Sequence, residues 1–203
     1  MLQLIAQSGS VEDYLCETKE VNYSHPSIQQ LANELYSTSV SETEFVKIAF
    51  EYVRDQIAHS WDIQSSRITC IASDVLLYQE GICYAKSNLL CAILRCKGIP
   101  TGFCYQRLTL GDTPEMGYCI HALNSVYLQS IGRWIRLDAR GNKSGVNAKF
   151  SLDEEHLAFQ IRDYYEEMDY PIIYTAPHPK TIDVLRRHSD CIQMYLHGLP
   201  TEI

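Results

Sequence analysis

Apolar residues recur every three or four positions in the segment after residue 41, a spacing typical of an amphipathic helix. Ser41 and Glu44 have the S-x-x-E spacing of a capping box at the start of this segment. The apolar positions are Phe45, Ile48, Ala49, Tyr52, Val53 and Ile57. The pattern therefore predicts a helix from Ser41 to about residue 58. Pro26, which is tolerated in a first helical turn, predicts an earlier helix over residues 24–36.

The middle of the chain begins with a second pair of helical patterns. A short helix is predicted over residues 73–78, and Gly81 separates it from a longer helix over 83–97. Gly98 and Pro100 form a specific stop signal, because glycine adopts the left-handed conformation after a helix and proline cannot continue it. The longer helix carries apolar residues around most of its circumference, so we expect it to be buried.

The period then changes to that of strands, with β-forming residues over 101–110, 117–128 and 133–139. The turn cluster 111–114 separates the first two strands. A connection of only a few residues, 130–132, joins the last two, so these two strands should be antiparallel neighbours.

Helical patterns return in the last quarter of the chain. Ser151 and Glu154 repeat the capping-box spacing and predict a helix that runs to about Met168. A final helix or helix pair is predicted between Pro179 and Leu196. With an α-rich front, a β-rich middle and an α-rich tail, the chain is predicted to have an α+β fold.

Length and composition indicate an ordinary globular protein. The chain has 203 residues, of which 46% are apolar and 21% charged, and no Pro/Gly/Ser-rich linker interrupts it. We therefore expect a single domain over residues 1–203. The formal net charge is −8, and an acidic chain without a basic stripe argues against nucleic acid or an anionic membrane as a partner.

The eight cysteines do not form a recognisable metal or disulfide pattern. No C-x-x-C pair is present, so we expect no metal site and no cofactor. The N-terminal segment lacks the basic region and the apolar run of a secretion signal. The sequence therefore predicts a cytoplasmic protein whose cysteines are free thiols, since that compartment keeps thiols reduced.

Three residues stand out together as candidates for catalysis. Cys83 begins the buried helix, His121 lies in the second strand, and Asp138 lies at the end of the third strand. The N–H groups at a helix N-terminus favour a thiolate and can also hold an oxyanion. A histidine beside the thiol accepts and returns the proton, and a carboxylate behind the histidine fixes its tautomer and orientation.

The residues around these three resemble the core motif of the transglutaminase-like superfamily. Residues 80–85, EGICYA, resemble the start of the cysteine-bearing helix, and residues 94–100, LRCKGIP, resemble its end. His121-Ala122 and the segment 134–138, WIRLD, resemble the two strands that carry the other motif residues. The resemblance covers about residues 41–140, and residues 1–40 and 141–203 are helical or loop extensions outside it.

The resemblance implies a papain-like α+β fold, in which a central helix bearing the cysteine packs on an antiparallel sheet. It assigns the nucleophile to Cys83, the general base and acid to His121 and the orienting acid to Asp138. Members of the superfamily carry out acyl transfer or hydrolysis at amide bonds through a thioester, which implies a peptide or small amide substrate. Nothing in the sequence resembles the calcium sites of the larger cross-linking members, so we expect no calcium requirement.

Two other interpretations stay open at the level of sequence. An arylamine N-acetyltransferase-like enzyme would use the same Cys, His, Asp order, but the double glycine usual before its cysteine is absent from Glu80-Gly81-Ile82. An inactive domain that only binds a partner is the other alternative. All three triad residue types are present, which favours catalysis over the inactive alternative.

A few further residues are weaker candidates for the same site. Cys119 shares a strand face with His121, because side chains alternate across a strand, although packing in the core is the simpler role. His59 follows the helix predicted over residues 41–58 and lies close enough in sequence to approach the pocket. Arg140, Asn142 and Lys143 occupy a polar loop directly after Asp138, where loops often contact substrate. The four histidines of the tail, His156, His178, His188 and His197, are expected on the surface.

Overall fold

The structure is a computed structural model that describes residues 3–111 and 113–203. The helices are α1 Pro26–Ser37, α2 Glu42–Gln56, α3 Ala72–Tyr78, α4 Cys83–Arg95, α5 Pro179–Arg187 and α6 Cys191–His197. The strands are β1 Ile5–Ala6, β2 Ala58–His59, β3 Glu80–Gly81, β4 Thr101–Thr109, β5 Tyr118–Leu128, β6 Arg133–Leu137, β7 Met168–Asp169 and β8 Ile172–Ile173. The α+β class predicted from the sequence is confirmed.

A four-stranded antiparallel sheet in the order β6-β5-β4-β7 forms one side of the core. β4 and β5 pair over their whole shared length, and β6 pairs only with the second half of β5, from Asn124 to Leu128. One edge of the first half of β5 is therefore left without a strand. There the N–H of Ile120 donates to the carbonyl of Pro200, at 2.8 Å, so the C-terminal segment lies along this edge.

Helix α4 is the centre of the fold, and every one of its residues is buried. It packs against β4 and β5 on one side and against α1, α2 and α3 on the other. This placement explains why its sequence is apolar around most of the helix, as a surface helix would show a polar face instead. Two charged side chains of the helix are also buried, Lys86 in its first turn and Arg95 in its last turn.

Lys86 ties the first turn of α4 to the chain that leaves α2. Its ammonium donates to the carbonyl of Ile57 and, at 3.3 Å, to that of Arg54. Burial and the positive charge of Arg140 lower the pKa of Lys86 to about 7. These bonds satisfy carbonyls at the C-terminal end of α2 that have no partner within the helix, and they fix the start of β2 against α4.

Most element boundaries agree with the sequence prediction to within one or two residues. Ser41 caps α2 by accepting from the N–H of Glu44, at 3.2 Å, and the Glu44 carboxylate accepts from the N–H of Val40, at 2.8 Å. Gly98, which follows α4, has a φ of +70°, the conformation that its stop signal requires. Part of the predicted turn at 111–114 falls on residue 112, outside the described residues.

The helix predicted from Ser151 to Met168 is wrong. The Ser151 hydroxyl does accept from the N–H groups of Asp153 and Glu154, both at 3.2 Å, but the turn does not continue. The N–H of Ala158, which a helix would pair with the carbonyl four residues earlier, donates instead to the side chain of Asp138. The segment crosses the sheet as irregular chain with one short 3₁₀ turn, Asp163–Tyr165, before β7.

A close approach of the chain at Gly102 gives a test of the packing beneath β4. A Cβ placed on Gly102 would lie 2.5 Å from Cγ2 of Ile173 and 2.9 Å from the carbonyl oxygen of Tyr174. We expect Gly102→Ala to lower the free energy of unfolding by about 1–3 kcal/mol, because overpacking forces neighbours to shift. Gly9→Ala is the matched control, since its Cβ would meet nothing within 4 Å. Urea unfolding of the two variants measures both effects, and equal midpoints would contradict this packing.

No helix among the described residues is both long and apolar enough to span a bilayer.

Candidate active site

The thiol of Cys83 stands at the first position of α4, where the chain leaves the short strand β3 and turns at Ile82 into the helix. The side chain is 8% exposed and opens into a cavity of about 840 Å³. The first N–H groups of a helix have no acceptor within it, so the thiol lies beside free donors and the positive end of the helix dipole.

His121 and Asp138 meet on the sheet side of this cavity. His121 lies in β5, and Asp138 directly follows β6, the neighbouring strand. Nε2 of His121 is 2.8 Å from Oδ2 of Asp138. Cys83 and His121 line the same cavity. The structure thus brings together the three residues singled out from the sequence.

The Asp138 carboxylate is held by more than the histidine. Its Oδ2 also accepts from the N–H of Ala158, at 3.0 Å, and its Oδ1 from the N–H of Arg140, at 3.2 Å. Phe159 presents an edge-to-face contact to the His121 ring, with centroids 5.1 Å apart. The ring orientation is therefore fixed by a carboxylate with three donors and by an aromatic side chain.

The electrostatics favour a charged pair at this position. Burial alone would lower the pKa of His121, but the Asp138 carboxylate and the Cys83 thiolate raise it to about 10. Burial would raise the pKa of Asp138, but the imidazolium and the two backbone N–H groups lower it. Both directions stabilise an imidazolium beside the Asp138 carboxylate, and an imidazolium near a thiol favours the thiolate, the nucleophilic form of cysteine.

Other thiols in the protein have surroundings that favour the protonated form. Burial raises the pKa of Cys91 to about 11 and those of Cys104 and Cys119 to about 12. Cys119 lines the cavity, as its strand face indicated, but burial keeps its thiol protonated. All eight cysteines are free. Cys83 is thus distinguished from these three by its place beside an imidazolium at a helix start.

Part of the cavity wall comes from two distant parts of the chain. Trp61, in the loop after β2, stacks on Tyr195 of α6 with ring centroids 4.3 Å apart and planes 13° apart. Leu199, in the C-terminal segment that bonds to β5, also lines the cavity. The remaining wall is largely apolar and includes Leu108, Met116, Val146 and Phe159.

The charged loop after Asp138 reaches the cavity at one side. Arg140 and Lys143 line it, and both donate to the carboxylate of Asp62, with Nζ of Lys143 at 2.7 Å. Partial burial would raise the pKa of Asp62, but these hydrogen bonds lower it far below its usual value. Asn142, predicted with them, instead bonds the backbone of Ala148 and is not among the lining residues.

The histidines predicted to be peripheral divide into two groups. His197 is exposed as expected, yet it lies at the rim of the cavity. His156, His178 and His188 lie away from it, and His178 caps α5 by accepting from the N–H of Lys180, at 3.3 Å. His59 does reach the cavity wall. Within residues 3–111 and 113–203, no group of three or more His, Cys, Asp or Glu side chains is arranged to hold a metal ion.

Comparison with protein families gives a decisive match. The model described as "Transglutaminase-like superfamily" matches residues 29–139, more than half of the chain. The chain belongs to the transglutaminase-like superfamily. The match contains Cys83, His121 and Asp138, and it begins in α1, earlier than the residue 41 expected from the sequence motifs. Residues 140–203, which supply Ala158, Phe159, Tyr195 and Leu199 to the site, lie outside it.

One solved structure has a similar fold, and two others are less similar. A candidate cysteine protease from Cytophaga hutchinsonii is 19% identical with a TM-score of 0.52, over 66% of this chain and 43% of its own. The periplasmic domain of TgpA from Pseudomonas aeruginosa is 17% identical with a TM-score of 0.46, over 62% and 45%. A protein described as a TGase is 17% identical with a TM-score of 0.44, over 87% and 52%. The chain thus spans about half the length of these proteins or less. A comparison with curated protein sequences gave no match.

Sequence reasoning named some residues of the cavity wall, including His59 and Arg140, but missed others. Phe159 and the N–H of Ala158 lie in the segment interpreted as a helix, and Tyr195 lies in a helix to which no role was assigned. A buried backbone N–H has no sequence signature, so no signal in the chain could have identified the Ala158 bond. The aromatic pair Trp61 and Tyr195 is separated by most of the chain, which hides the contact in a single sequence.

Proposed function

We propose that this member of the transglutaminase-like superfamily is a cysteine hydrolase or acyltransferase that acts on amide bonds through a thioester. The observation that carries the proposal is the 2.8 Å contact of His121 with Asp138, in a cavity that also contains Cys83 at a helix N-terminus. In this arrangement Cys83 is the nucleophile, His121 the general base and acid, and Asp138 the orienting group.

In the first half of the reaction, the Cys83 thiolate attacks the carbonyl carbon of an amide. The carbonyl electrons move to oxygen, and the N–H groups at the start of α4 stabilise the resulting oxyanion. The His121 imidazolium then donates its proton to the leaving nitrogen, the C–N bond breaks, and an amine departs. The acyl group remains on Cys83 as a thioester, beside a neutral His121.

In the second half, His121 accepts a proton from water or an acceptor amine, which attacks the thioester carbon. Collapse of the second tetrahedral intermediate expels the Cys83 thiolate and regenerates the thiolate–imidazolium pair. Water is the default acceptor because no acceptor amine site is evident among the lining residues, so hydrolysis is the favoured outcome. The volume of the cavity and its largely apolar walls suit a peptide or small amide with an apolar acyl part.

We further propose that the protein works in the cytoplasm. The support is that its eight cysteines are all free thiols, which is typical of proteins in a reducing compartment.

Intact-mass analysis tests the proposal. The protein is incubated with a set of p-nitrophenyl esters and peptide amides, and the digest is mapped at all eight cysteines. We expect one added acyl group, located at Cys83, which disappears with time in water. If an amine is the true acceptor, the acyl group should disappear faster when an amine is added. An inactive binding domain is the competing interpretation, and the wild-type protein would then show no acyl group at Cys83 with any donor.

A further inference from the structure

His59 occupies a fixed position beside the candidate nucleophile. It lies in β2, which pairs in parallel with β3 so that His59 is opposite Gly81, two residues before Cys83. The N–H of Ser60 donates to the carbonyl of Gly81 at 3.3 Å. On the other side, Lys86 in the first turn of α4 holds the carbonyl of Ile57, two residues before His59. Backbone and side-chain bonds thus fix His59 relative to the start of α4.

The His59 ring is part of the cavity wall, and one of its two nitrogens is buried without a hydrogen-bond partner. The residue is 5% exposed and lines the cavity together with Cys83 and His121. Tyr195 packs against it edge to face, with centroids 6.2 Å apart. Nδ1 is fully buried and, in the part of the chain that the structure describes, has no hydrogen-bond partner. Buried polar atoms without partners are rare in folded proteins, and this one limits which nitrogen of the ring can carry a proton.

The surroundings of His59 keep the ring neutral. Burial lowers its pKa well below the usual value, and the positive charge of Arg140 lowers it further, against an opposing effect of Asp62. A neutral imidazole carries one proton. A proton on Nδ1 would be a buried donor without an acceptor, which is costly. The ring therefore favours the tautomer in which Nε2 carries the proton.

The N–H groups at the start of α4 reach the oxyanion from the helix, and His59 lines the same cavity from the neighbouring strand β2. We propose that the neutral ring of His59, through its Nε2–H, is a further donor to the oxyanion that forms when Cys83 attacks. A ring that stays neutral suits this role. It donates to the carbonyl oxygen through Nε2–H, and it does not take up the thiol proton in place of His121. The inference rests on the acyl-transfer chemistry proposed above.

Two reactions of the same thiol separate this role from a structural one. Acylation of Cys83 by p-nitrophenyl acetate forms an S–C bond and an oxyanion, which then collapses with loss of p-nitrophenolate. Alkylation by iodoacetamide forms an S–C bond with loss of iodide and passes through no oxyanion. A group that only stabilises the oxyanion affects the first rate and leaves the second unchanged.

We expect His59→Phe, which keeps an aromatic ring without a donor, to slow acylation about 10²–10³-fold, the usual effect of removing one oxyanion donor. Alkylation of Cys83 should stay within about twofold of the wild type, as the thiolate–imidazolium pair is intact. His59→Gln restores an N–H donor and should recover part of the acylation rate. His156→Gln, an exposed histidine outside the cavity, is the matched control and should change neither rate.

Each outcome of this experiment is informative, with urea unfolding of every variant as the check on folding. Acylation and alkylation slowed together in a folded His59→Phe would show that His59 supports the site structurally, and the proposal would be overturned. An unchanged acylation rate would overturn it as well and leave the proposed function intact. A wild-type protein that is alkylated at Cys83 but never acylated would count against the proposed function itself, and His59 would then have no oxyanion to stabilise.

Discussion

Replacing Cys83 by alanine is expected to abolish turnover of any amide or ester substrate, with a loss of about 10⁶-fold, the scale seen when a hydrolase loses its nucleophile. The physical reason is that no other thiol can take over. Cys119 is the other cysteine that lines the cavity, and burial raises its pKa to about 12, so at neutral pH almost none of it is thiolate.

Rates of product release and the intact mass after exposure to substrate measure this effect. Cys16→Ala is the matched control, because Cys16 is an exposed free thiol remote in sequence from the triad, and we expect wild-type rates from it. If Cys83→Ala kept more than about 1% of the wild-type rate, the thioester mechanism would be wrong, since general base catalysis without a nucleophile is far slower.

Replacing Asp138 by asparagine is expected to slow turnover by about 10³–10⁴-fold, as for the orienting acid of other triads. The carboxylate accepts from His121, Ala158 and Arg140, and an amide of the same shape must turn its NH2 toward at least one of these N–H groups. If the NH2 faces His121, Nε2 becomes an acceptor, and the ring proton moves to the nitrogen that should receive the thiol proton. Urea unfolding should show that the variant is folded.

The same substitution has a pH signature. Asp138 raises the pKa of His121, so in the wild type the imidazolium persists to high pH. Without the carboxylate, burial dominates and the pKa of His121 falls. The high-pH limit of the thiolate–imidazolium pair should therefore move to lower pH in Asp138→Asn. Iodoacetamide alkylation of Cys83 between pH 5 and 10, with Cys16 as the internal reference, measures the shift, and identical profiles would contradict the assigned role of Asp138.

The parts of the fold that sequence predicted correctly are those with local physical causes. The bond between Ser41 and Glu44 at the start of α2, and the left-handed Gly98 after α4, depend on residues a few positions apart. Cys83, His121 and Asp138 could be placed on their elements for a related reason, because the helix and the two strands around them have clear periodic patterns. The predicted strands β5 and β6 then placed two of the three residues next to each other.

The parts that sequence could not predict depend on contacts between distant segments. Ser151 and Glu154 form the local turn of a capping box, but the N–H of Ala158 is taken by Asp138, twenty residues earlier, and the helix is lost. Similarly, nothing near His59 in sequence indicates that Tyr195 packs on its ring. In the first case, the sequence has a local preference for a helix. The buried Asp138 carboxylate needs a hydrogen-bond donor, and this need outweighs the preference.

The dependence of the triad on later parts of the chain has a consequence for the timing of its reactivity. A ribosome adds Cys83, His121 and Asp138 to the nascent chain before it adds Ala158, Tyr195 and Pro200. Until those residues emerge, Asp138 lacks the second of its two backbone donors, the N–H of Ala158. The open edge of β5 is also uncovered, and part of the cavity wall is missing. We therefore expect the candidate site to be complete only once synthesis has passed residue 200, which would keep an unfinished chain from presenting an aligned thiol to other proteins.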